Sequence, residues 1–423
     1  MTTAQENVLM THVEGDAPMG QWMRESHWIP CARSAQLEPG GKPERVRLLG
    51  ENFVAFRTHE GKPGFVDEAC PHRGASLAMA RNENGALTCI FHGWRMGTNG
   101  AVLDAPSQLK DAKAFAARVP YREYPVYEGG GLVWVWLGKS KPAERPNTPF
   151  CLLPQDHCWV TRTVTPCNWL QGVEGTLDSI HVGTLHKYWI AAAVKKTEQR
   201  TGEKRNIGLA LDATPGYEAE ITEYGLSAAA LRPTTDGRTY ARVTEYLAPF
   251  VSLVPAQGDE VADYFISVPM DNHNHMLFFG FYHLHRPITQ QECLDYIANE
   301  EANPILNEFA NLGATPDQHW GQDRKAMANG HFSGYTRNII AEDVVVQASM
   351  GPIRDRTKDF LSSSDVAVAT LRRMLLDIMK AQQAGQAKRP PLPSKPVDYF
   401  PLDAVLDAGV DWRTRVAKHR AAA

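Results

Sequence analysis

Four cysteine and histidine side chains with regular spacing are the first candidates for chemistry in this chain. They are Cys70 and His72, separated by one proline, and, after sixteen further residues, Cys89 and His92. Two cysteines and two histidines could close a tetrahedral structural zinc site. They could also hold a [2Fe–2S] cluster, with both cysteines on one iron and both histidines on the other. A zinc finger places its histidines close together on one helix, whereas here cysteine and histidine are interleaved in two short motifs. The spacing therefore favours the cluster.

A second group of metal-binding residue types lies within thirteen positions, from Glu174 to His186. On a helix, Glu174, Asp178 and His181 would share one face because they are four and three residues apart. Gly183 permits a break that could turn His186 back towards His181. Two imidazoles at one point indicate a divalent first-row metal, and one more carboxylate would complete a facial triad with open positions. The alternative is an amphipathic core helix with two hydrogen-bonded histidines.

Length and composition limit the classes of protein to consider. The chain has 423 residues, 43% of them hydrophobic and 22% charged, with a formal net charge of −4. These values predict a soluble globular protein of two domains, or of one large domain with an insertion. The sequence has no block of basic residues that would bind nucleic acid. We find no apolar run long enough to cross a membrane and no signal peptide. Seven cysteines without an export signal favour a reducing compartment, so we expect a cytoplasmic protein without membrane contact.

The patterning predicts an α+β protein. Short alternating strands with Gly, Pro and Asn turns are predicted between residues 28 and 137, before a proline-rich linker at 139–149. A long antiparallel sheet is predicted for 206–283, and helices for 289–311, interrupted near Pro304, and 365–383. We expect an antiparallel sheet that grips a cavity beside the metal-binding helix. The expected domains are an N-terminal segment, 1–26, a cluster-binding β-domain, 27–140, and a catalytic domain, 150–423.

These motifs together resemble one family. Cys70-Pro-His-Arg-Gly74 and Cys89-Ile-Phe-His-Gly-Trp94 resemble the Rieske signature of the aromatic-ring-hydroxylating oxygenases, and Ala105-Pro-Ser107 resembles the proline loop over such clusters. The spacing Asp178, two residues, His181, four residues, His186 is similar to the iron motif of the oxygenase (alpha) subunits. The resemblance covers nearly the whole chain. It implies a Rieske [2Fe–2S] β-domain followed by a helix-grip catalytic domain with a mononuclear Fe(II).

The third iron ligand is supplied by the resemblance and not by spacing. The stretch Ala341-Glu-Asp-Val-Val-Val-Gln-Ala-Ser-Met-Gly-Pro-Ile353 resembles the phthalate-dioxygenase branch, in which the aspartate of this motif binds iron. That position is Asp343. The alternatives are that Asp343 is an ordinary carboxylate near a helix start, or that Glu342 is the ligand. Family resemblance also assigns Asp178 to an electron-transfer bridge between the iron histidine and a Rieske histidine of a neighbouring subunit.

The resemblance further implies an enzyme that uses O2 and electrons from a separate flavin and iron–sulfur reductase, which oxidises NAD(P)H. It implies a homotrimer or a stacked homohexamer, and an aromatic carboxylate of the phthalate or benzoate type as substrate. Such an anion needs a cation, preferably arginine. The candidates are Arg242, then Arg205, with a hydrogen bond from Ser179. Monooxygenation or O-demethylation would use the same ligands. A Rieske electron-transfer protein would carry two irons per chain instead of three.

Overall fold

The structure is a computed structural model that describes residues 2–202, 215–255, 261–296, 308–309, 315–387 and 401–422. By contacts, the chain divides into two compact units, Val13–Pro146 and Met1–His12 with Asn147–Ala423. This division places the first twelve residues with the second unit. The domain boundaries at 26/27 and 140/150 stay a prediction.

The described part of the chain contains the following elements. The helices are α1 (Ala4–Thr11), α2 (Pro18–Ser26), α3 (Ala112–Ala116), α4 (Pro149–Leu152), α5 (Trp169–Leu177), α6 (Ile180–Thr184), α7 (Lys187–Thr201), α8 (Gln290–Tyr296), α9 (Arg324–Ala328), α10 (Ile339–Ser349), α11 (Val366–Gln383) and α12 (Trp412–Ala422). The strands are β1 (Trp28–Arg33), β2 (Glu44–Leu48), β3 (Glu51–Arg57), β4 (Pro63–Asp67), β5 (Arg81–Glu83), β6 (Ala86–Thr88), β7 (Arg95–Met96), β8 (Val102–Asp104), β9 (Val126–Gly129), β10 (Leu132–Trp136), β11 (Cys158–Thr165), β12 (Gly216–Ile221), β13 (Gly225–Pro233), β14 (Thr239–Leu247), β15 (Val251–Pro255), β16 (Val261–Pro269), β17 (His275–His283), β18 (Glu308–Phe309) and β19 (Leu402–Leu406).

The first unit is built from short antiparallel strands, as the turn-rich sequence predicts. In the described residues they form three small sheets, with the strand orders β1-β10-β9, β2-β3-β4 and β5-β6-β7-β8. A core of side chains such as Phe56, Leu87 and Trp94 is buried among these sheets, and the Cys70 and Cys89 side chains belong to it. The two cysteines are therefore anchored in the hydrophobic core of this unit.

The second unit contains the predicted antiparallel sheet. Over the described residues its strand order is β12-β13-β14-β15-β16-β17-β11-β18, with β19 paired to β14. Strands β12 to β17 and β11 pair antiparallel, and β18 adds to β11 in parallel. Helix α5 packs on β15 and β16, and α10 contacts both α5 and β11. The helices thus cover one face of the sheet.

The sequence predicts one face for Glu174, Asp178 and His181, but the structure breaks the helix between them. Helix α5 ends at Leu177, and Asp178 has extended dihedral angles of φ −89° and ψ 111°. The Asp178 carboxylate then accepts the N–H of Ile180 at 2.8 Å, which starts α6. The break expected between His181 and His186 is present, since α6 ends at Thr184 and α7 begins at Lys187, but Gly183 itself lies inside α6. The one-face expectation is wrong because Asp178 ends one helix and starts the next.

Glu174 is held away from the metal-binding histidines. Its two carboxylate oxygens accept hydrogen bonds from Arg356 at 2.9 Å each, and Arg372 donates to it at 2.8 Å. Burial raises the pKa of Glu174, but these two guanidinium groups outweigh burial and lower it. Glu174 therefore ties α5 to the C-terminal part of the unit.

The C-terminal elements agree in part with the predicted helices. Helix α11 begins at Val366, as its apolar face predicts. Of the predicted helix 289–311, the structure describes α8 and residues 308–309, and Pro304 lies outside the described residues. The prediction is wrong for residues 308–309, because they pair with β11 as strand β18. Strand β19 and helix α12 are elements that periodicity did not predict. In the part of the chain that the structure describes, no helix is both long and apolar enough to span a membrane.

Candidate metal centres and the cavity beside them

The two cysteine and histidine motifs, Cys70-Pro-His72 and Cys89-Ile-Phe-His92, fold into loops of the same form. In each loop a glycine N–H donates to the cysteine carbonyl, Gly74 to Cys70 at 2.8 Å and Gly93 to Cys89 at 2.9 Å. Both glycines have a φ of +75°, a left-handed conformation that a side chain disfavours. The glycines after the histidines are therefore required by the tight turn. The backbone of each loop closes on itself and presents its cysteine and histidine together.

The side chains of these loops fit a two-iron cluster. The rings of His72 and His92 lie 4.5 Å apart, and His72 stacks on Trp94 at 4.7 Å. The Trp94 indole N–H donates to the Ser107 hydroxyl at 2.8 Å, which joins the expected proline loop to the site. His72 Nδ1 is buried without a hydrogen-bond partner, as expected of an atom that ligates a metal.

The geometry does not favour a single zinc ion. In the part of the chain that the structure describes, the ligand atoms of these four side chains do not all lie within 4.8 Å of one another. A tetrahedral zinc needs all of its ligands around one point. A [2Fe–2S] cluster separates its cysteine pair from its histidine pair, so the donor set fits the cluster.

The structure brings the three predicted iron ligands together at a second candidate metal centre. One ligand atom each from His181, His186 and Asp343 lies within 4.8 Å of the others. Asp343 Oδ1 is 3.1 Å from His186 Nε2 and 3.6 Å from His181 Nε2. Helix α6 carries His181, His186 precedes α7, and α10 carries Asp343. Two histidines and one carboxylate around one point form the facial arrangement typical of non-haem iron.

Two further carboxylates orient these histidines. Glu342 Oε2 lies 2.7 Å from His186 Nδ1, and Asp178 Oδ2 lies 3.4 Å from His181 Nδ1. Ser333 donates its hydroxyl to the other oxygen of Glu342. With each Nδ1 facing a carboxylate, each Nε2 is left to face the metal position. Glu342, which the sequence offered only as an alternative ligand, instead supports a ligand.

The electrostatics of this centre suit a cation. Burial lowers the pKa of His186, but Asp343 and Glu342 outweigh burial and raise it to about 10. Burial raises the pKa of Asp343, yet the two histidines hold it below its usual value. Burial also raises the pKa of Asp178, but the hydrogen bond and charge of His181 outweigh burial and lower it. Asp343 and Asp178 are therefore ionised at neutral pH, and a divalent metal would replace the proton on His186.

A cavity of about 160 Å³ adjoins the three metal-binding residues. Helices α5, α6, α7 and α10 form one wall, and strands β14 to β17 form the other. Most of its surface is apolar, with Phe265, Phe279 and Phe281 contributed by the sheet. The helix wall therefore carries the metal centre, and the sheet wall carries the surface that a bound molecule would meet.

Two of the three predicted substrate residues line this cavity. Arg242 does so from β14, with Nη1 3.5 Å from Asp403 Oδ2, and Asp403 also accepts the Tyr240 hydroxyl at 3.0 Å. Ser179 also lines the cavity, and its Oγ is buried without a hydrogen-bond partner. Arg205 lies outside the described residues. The partner that a buried strand arginine requires is thus Asp403, on the adjacent strand β19.

The sequence analysis missed two polar residues of the cavity. Gln347 follows Asp343 by four residues on α10, so both face the same side of that helix, and its amide occupies the space next to Gly175. Asp263 faces the cavity from β16, two residues before Phe265. Helical spacing from Asp343 could have identified Gln347. The sequence signal for Asp263 is a charged residue on the inward face of a strand.

Comparison with known proteins agrees with both centres. The model of the Rieske [2Fe–2S] domain matches residues 27–124, and the model described as LigXa C-terminal domain like matches residues 135–423. The phthalate 4,5-dioxygenase oxygenase subunit of Pseudomonas putida is 35% identical over 99% of this chain and 96% of its own length. The 3-chlorobenzoate-3,4-dioxygenase oxygenase subunit of Comamonas testosteroni is 31% identical over 98% of each chain.

Solved structures agree on the fold. The terminal oxygenase of carbazole 1,9a-dioxygenase from Novosphingobium sp. KA1 matches with a TM-score of 0.57 and 18% identity, over 92% of this chain and 97% of that one. At this identity the match supports the architecture alone. The two family models and the full-length relatives, taken with the two metal centres, show what kind of protein this is. The chain belongs to the Rieske non-haem iron oxygenases, as an oxygenase subunit of the phthalate-dioxygenase-like branch that carries a [2Fe–2S] cluster and a mononuclear iron.

Proposed function

We propose that this oxygenase hydroxylates a single-ring aromatic carboxylate. The observation that carries the proposal is the apolar cavity of about 160 Å³ that joins the iron ligands to the Arg242 guanidinium. A dry cavity of roughly 150 Å³ is large enough for benzene, so one substituted ring fits this space. The names of the two relatives, which act on phthalate and on 3-chlorobenzoate, support an aromatic acid.

The residues of the cavity have distinct parts in this proposal. His181, His186 and Asp343 would hold the iron and leave positions open towards the cavity. When bound, the iron and the cluster supply dioxygen activation and electrons, one at a time. The phenylalanines exclude water and pack against the ring. Arg242 binds the substrate carboxylate from the sheet wall, and Ser179 Oγ donates a hydrogen bond to the substrate.

Asp178 is proposed as the bridge for electrons. Its carboxylate is ionised and lies 3.4 Å from His181 Nδ1, so it can also accept an N–H from a Rieske histidine of a neighbouring subunit. This role requires a homotrimer or a stacked homohexamer. It also requires a separate flavin and iron–sulfur reductase that takes electrons from NAD(P)H. Sedimentation of the active enzyme tests the assembly, because turnover by a monomer would exclude a bridge between subunits.

The substrate class is tested with the iron-loaded enzyme, a reductase and a panel of aromatic acids with their neutral methyl esters. We expect oxygen uptake with acids, and product identification separates ring hydroxylation from O-demethylation. Arg242→Met should raise the KM of an acid about ten- to a hundredfold, since a charge-assisted hydrogen bond contributes roughly 1.5–3 kcal/mol. Arg242→Lys should restore part of the binding because it keeps the charge without the bidentate geometry.

The matched control is Arg373→Met, which removes an exposed arginine from α11. It should leave the KM of every acid unchanged. The KM values of the neutral esters should change little with either substitution at Arg242. If Arg242→Met leaves the KM of all oxidised acids unchanged, Arg242 is a structural residue of the sheet. If no acid is oxidised, the aromatic-acid proposal is wrong while the family assignment stands.

A further inference from the structure

Asp263 is an acidic residue on the wall of the cavity that faces the iron centre. In the sheet it pairs with Val254 of β15 and with Phe281 of β17, and both neighbours also line the cavity. Phe265, two residues further along β16, continues the same inward face. An aspartate among such side chains is costly unless a partner meets its charge.

The described residues do not supply Asp263 with a full set of partners. Its Oδ1 is buried and has no hydrogen-bond partner. Arg242, the cation of the same wall, makes its ion pair with Asp403 at 3.5 Å, and among the described ion pairs none joins Arg242 to Asp263. Burial raises the pKa of Asp263 to about 7, and the attraction of Arg242 offsets burial only in part. Asp403 is attracted by Arg232 as well as by Arg242, whereas Arg242 is the cation that attracts Asp263.

This charge balance limits what the cavity accepts beside Arg242. A monocarboxylate bound to Arg242 adds a negative charge near Asp263 and Asp403. A second carboxylate placed at Asp263 would oppose the charge of Asp263 directly. A neutral hydrogen-bond donor at the same place would instead satisfy the free oxygen of Asp263. Asp263 therefore discriminates between ring substituents by charge and by hydrogen-bonding character.

We propose that Asp263 is a specificity-determining residue that accepts a hydrogen bond from a hydroxyl or amino substituent on the ring of the aromatic acid. This inference depends on the proposed function, because Arg242 must bind the carboxylate of the same molecule. Asp263 would select hydroxy- or amino-substituted benzoates over dicarboxylates and over benzoates that lack a hydrogen-bond donor on the ring. The donor group and the carboxylate would then be held by two residues of the same sheet.

The experiment compares ring substituents of similar size that differ in donating a hydrogen bond. The probes are the three hydroxybenzoates and the three fluorobenzoates, and binding to the iron-loaded enzyme is measured by anaerobic calorimetry. We expect at least one hydroxybenzoate to bind about ten- to a hundredfold more tightly than its fluoro counterpart, as for a hydrogen bond to a charged group. Asp263→Leu should abolish this ratio while unsubstituted benzoate still binds.

Asp263→Asn keeps an acceptor oxygen without the charge. It should therefore retain part of the preference for the hydroxybenzoate over the fluorobenzoate, a result that a merely structural role would not predict. The matched control is Asp377→Asn, an exposed aspartate on α11, which should leave the ratio unchanged. Iron content and the visible spectrum of the cluster establish that each variant is folded. If Asp263→Leu does not fold, a reduced ratio in Asp263→Asn supports the inference and an unchanged ratio overturns it.

The two proposals fail in different ways. If no benzoate binds or is oxidised, the aromatic-acid function is wrong and this inference falls with it. If benzoates bind with no preference for a hydroxyl, or if Asp263→Leu keeps the preference, Asp263 does not contact the substituent. In that case the aromatic-acid function remains and only the specificity role is lost.

Discussion

The two walls of the cavity differ in how their charged groups are paired. On the helix wall, each iron-binding histidine has a carboxylate behind it, Glu342 for His186 and Asp178 for His181. On the sheet wall, Asp263 has an oxygen without a hydrogen-bond partner. The charged groups named on the helix wall are thus paired with one another, whereas on the sheet wall the charge of Asp263 is left incompletely paired. Substitutions on the two walls should therefore have opposite effects on stability.

The largest effect is expected from removing the carboxylate ligand of the helix wall. Asp343→Ala leaves two histidines, which cannot hold iron in the facial geometry. Bound iron should fall from about three atoms per chain to about two, because the cluster lies in another unit. Oxygen uptake should fall to background while the absorption of the cluster is unchanged. Loss of the cluster in this variant would show that the two centres depend on each other for folding.

Asp178→Asn tests the carboxylate behind His181. Both metal centres keep all of their ligands, so iron content should stay near that of the wild type. We expect reoxidation of the reduced cluster to slow about ten- to a hundredfold, as when the hydrogen-bond partner of a ligand is altered. Stopped-flow absorption measures this rate, with Asp377→Asn on the exposed face of α11 as control. Loss of the mononuclear iron would instead show that Asp178 is needed mainly to hold His181 in place, and the electron-transfer role would be lost.

The sequence predicts ligands for both centres for different reasons. Those of the cluster lie in two short loops whose glycines are fixed by backbone geometry, so local spacing was sufficient. His186 and Asp343 are 157 positions apart, and only family resemblance joined them. The antiparallel sheet and α11 followed from periodicity. The pairing of β19 with β14 did not, because a contact between distant segments leaves no periodic signal.

Glu342→Gln weakens the support of His186 without removing a ligand. Glutamine can still accept the N–H of His186, but it lacks the charge that makes the imidazole a stronger donor to metal. Iron affinity should fall about ten- to a hundredfold, within the range for such supporting residues. Competition with a chelator measures this affinity. Glu223→Gln, an exposed glutamate between β12 and β13, is the matched control and should show no change.

The smallest effect, and the one of opposite sign, is expected at Asp263 on the sheet wall. Burial raises the pKa of Asp263 to about 7 from an ordinary value of 3.8. Between these two pH values the unfolded chain loses the proton while the folded protein keeps it. The native state of the wild type is therefore destabilised as pH rises from about 4 to 7, and the cost is constant above pH 7.

Asp263→Asn removes this titration, so its melting temperature relative to wild type should be higher at pH 8 than at pH 5. The difference between the two proteins isolates Asp263, because every other ionisable group is present in both. Thermal unfolding of the iron-loaded enzymes without substrate, at the two pH values and equal salt, gives the comparison. Hydroxybenzoate should reduce the difference in melting temperature between Asp263→Asn and the wild type at pH 8, because it supplies the missing hydrogen-bond donor to the wild type. An equal difference at both pH values would mean that Asp263 is already paired, and the contrast between the two walls would be lost.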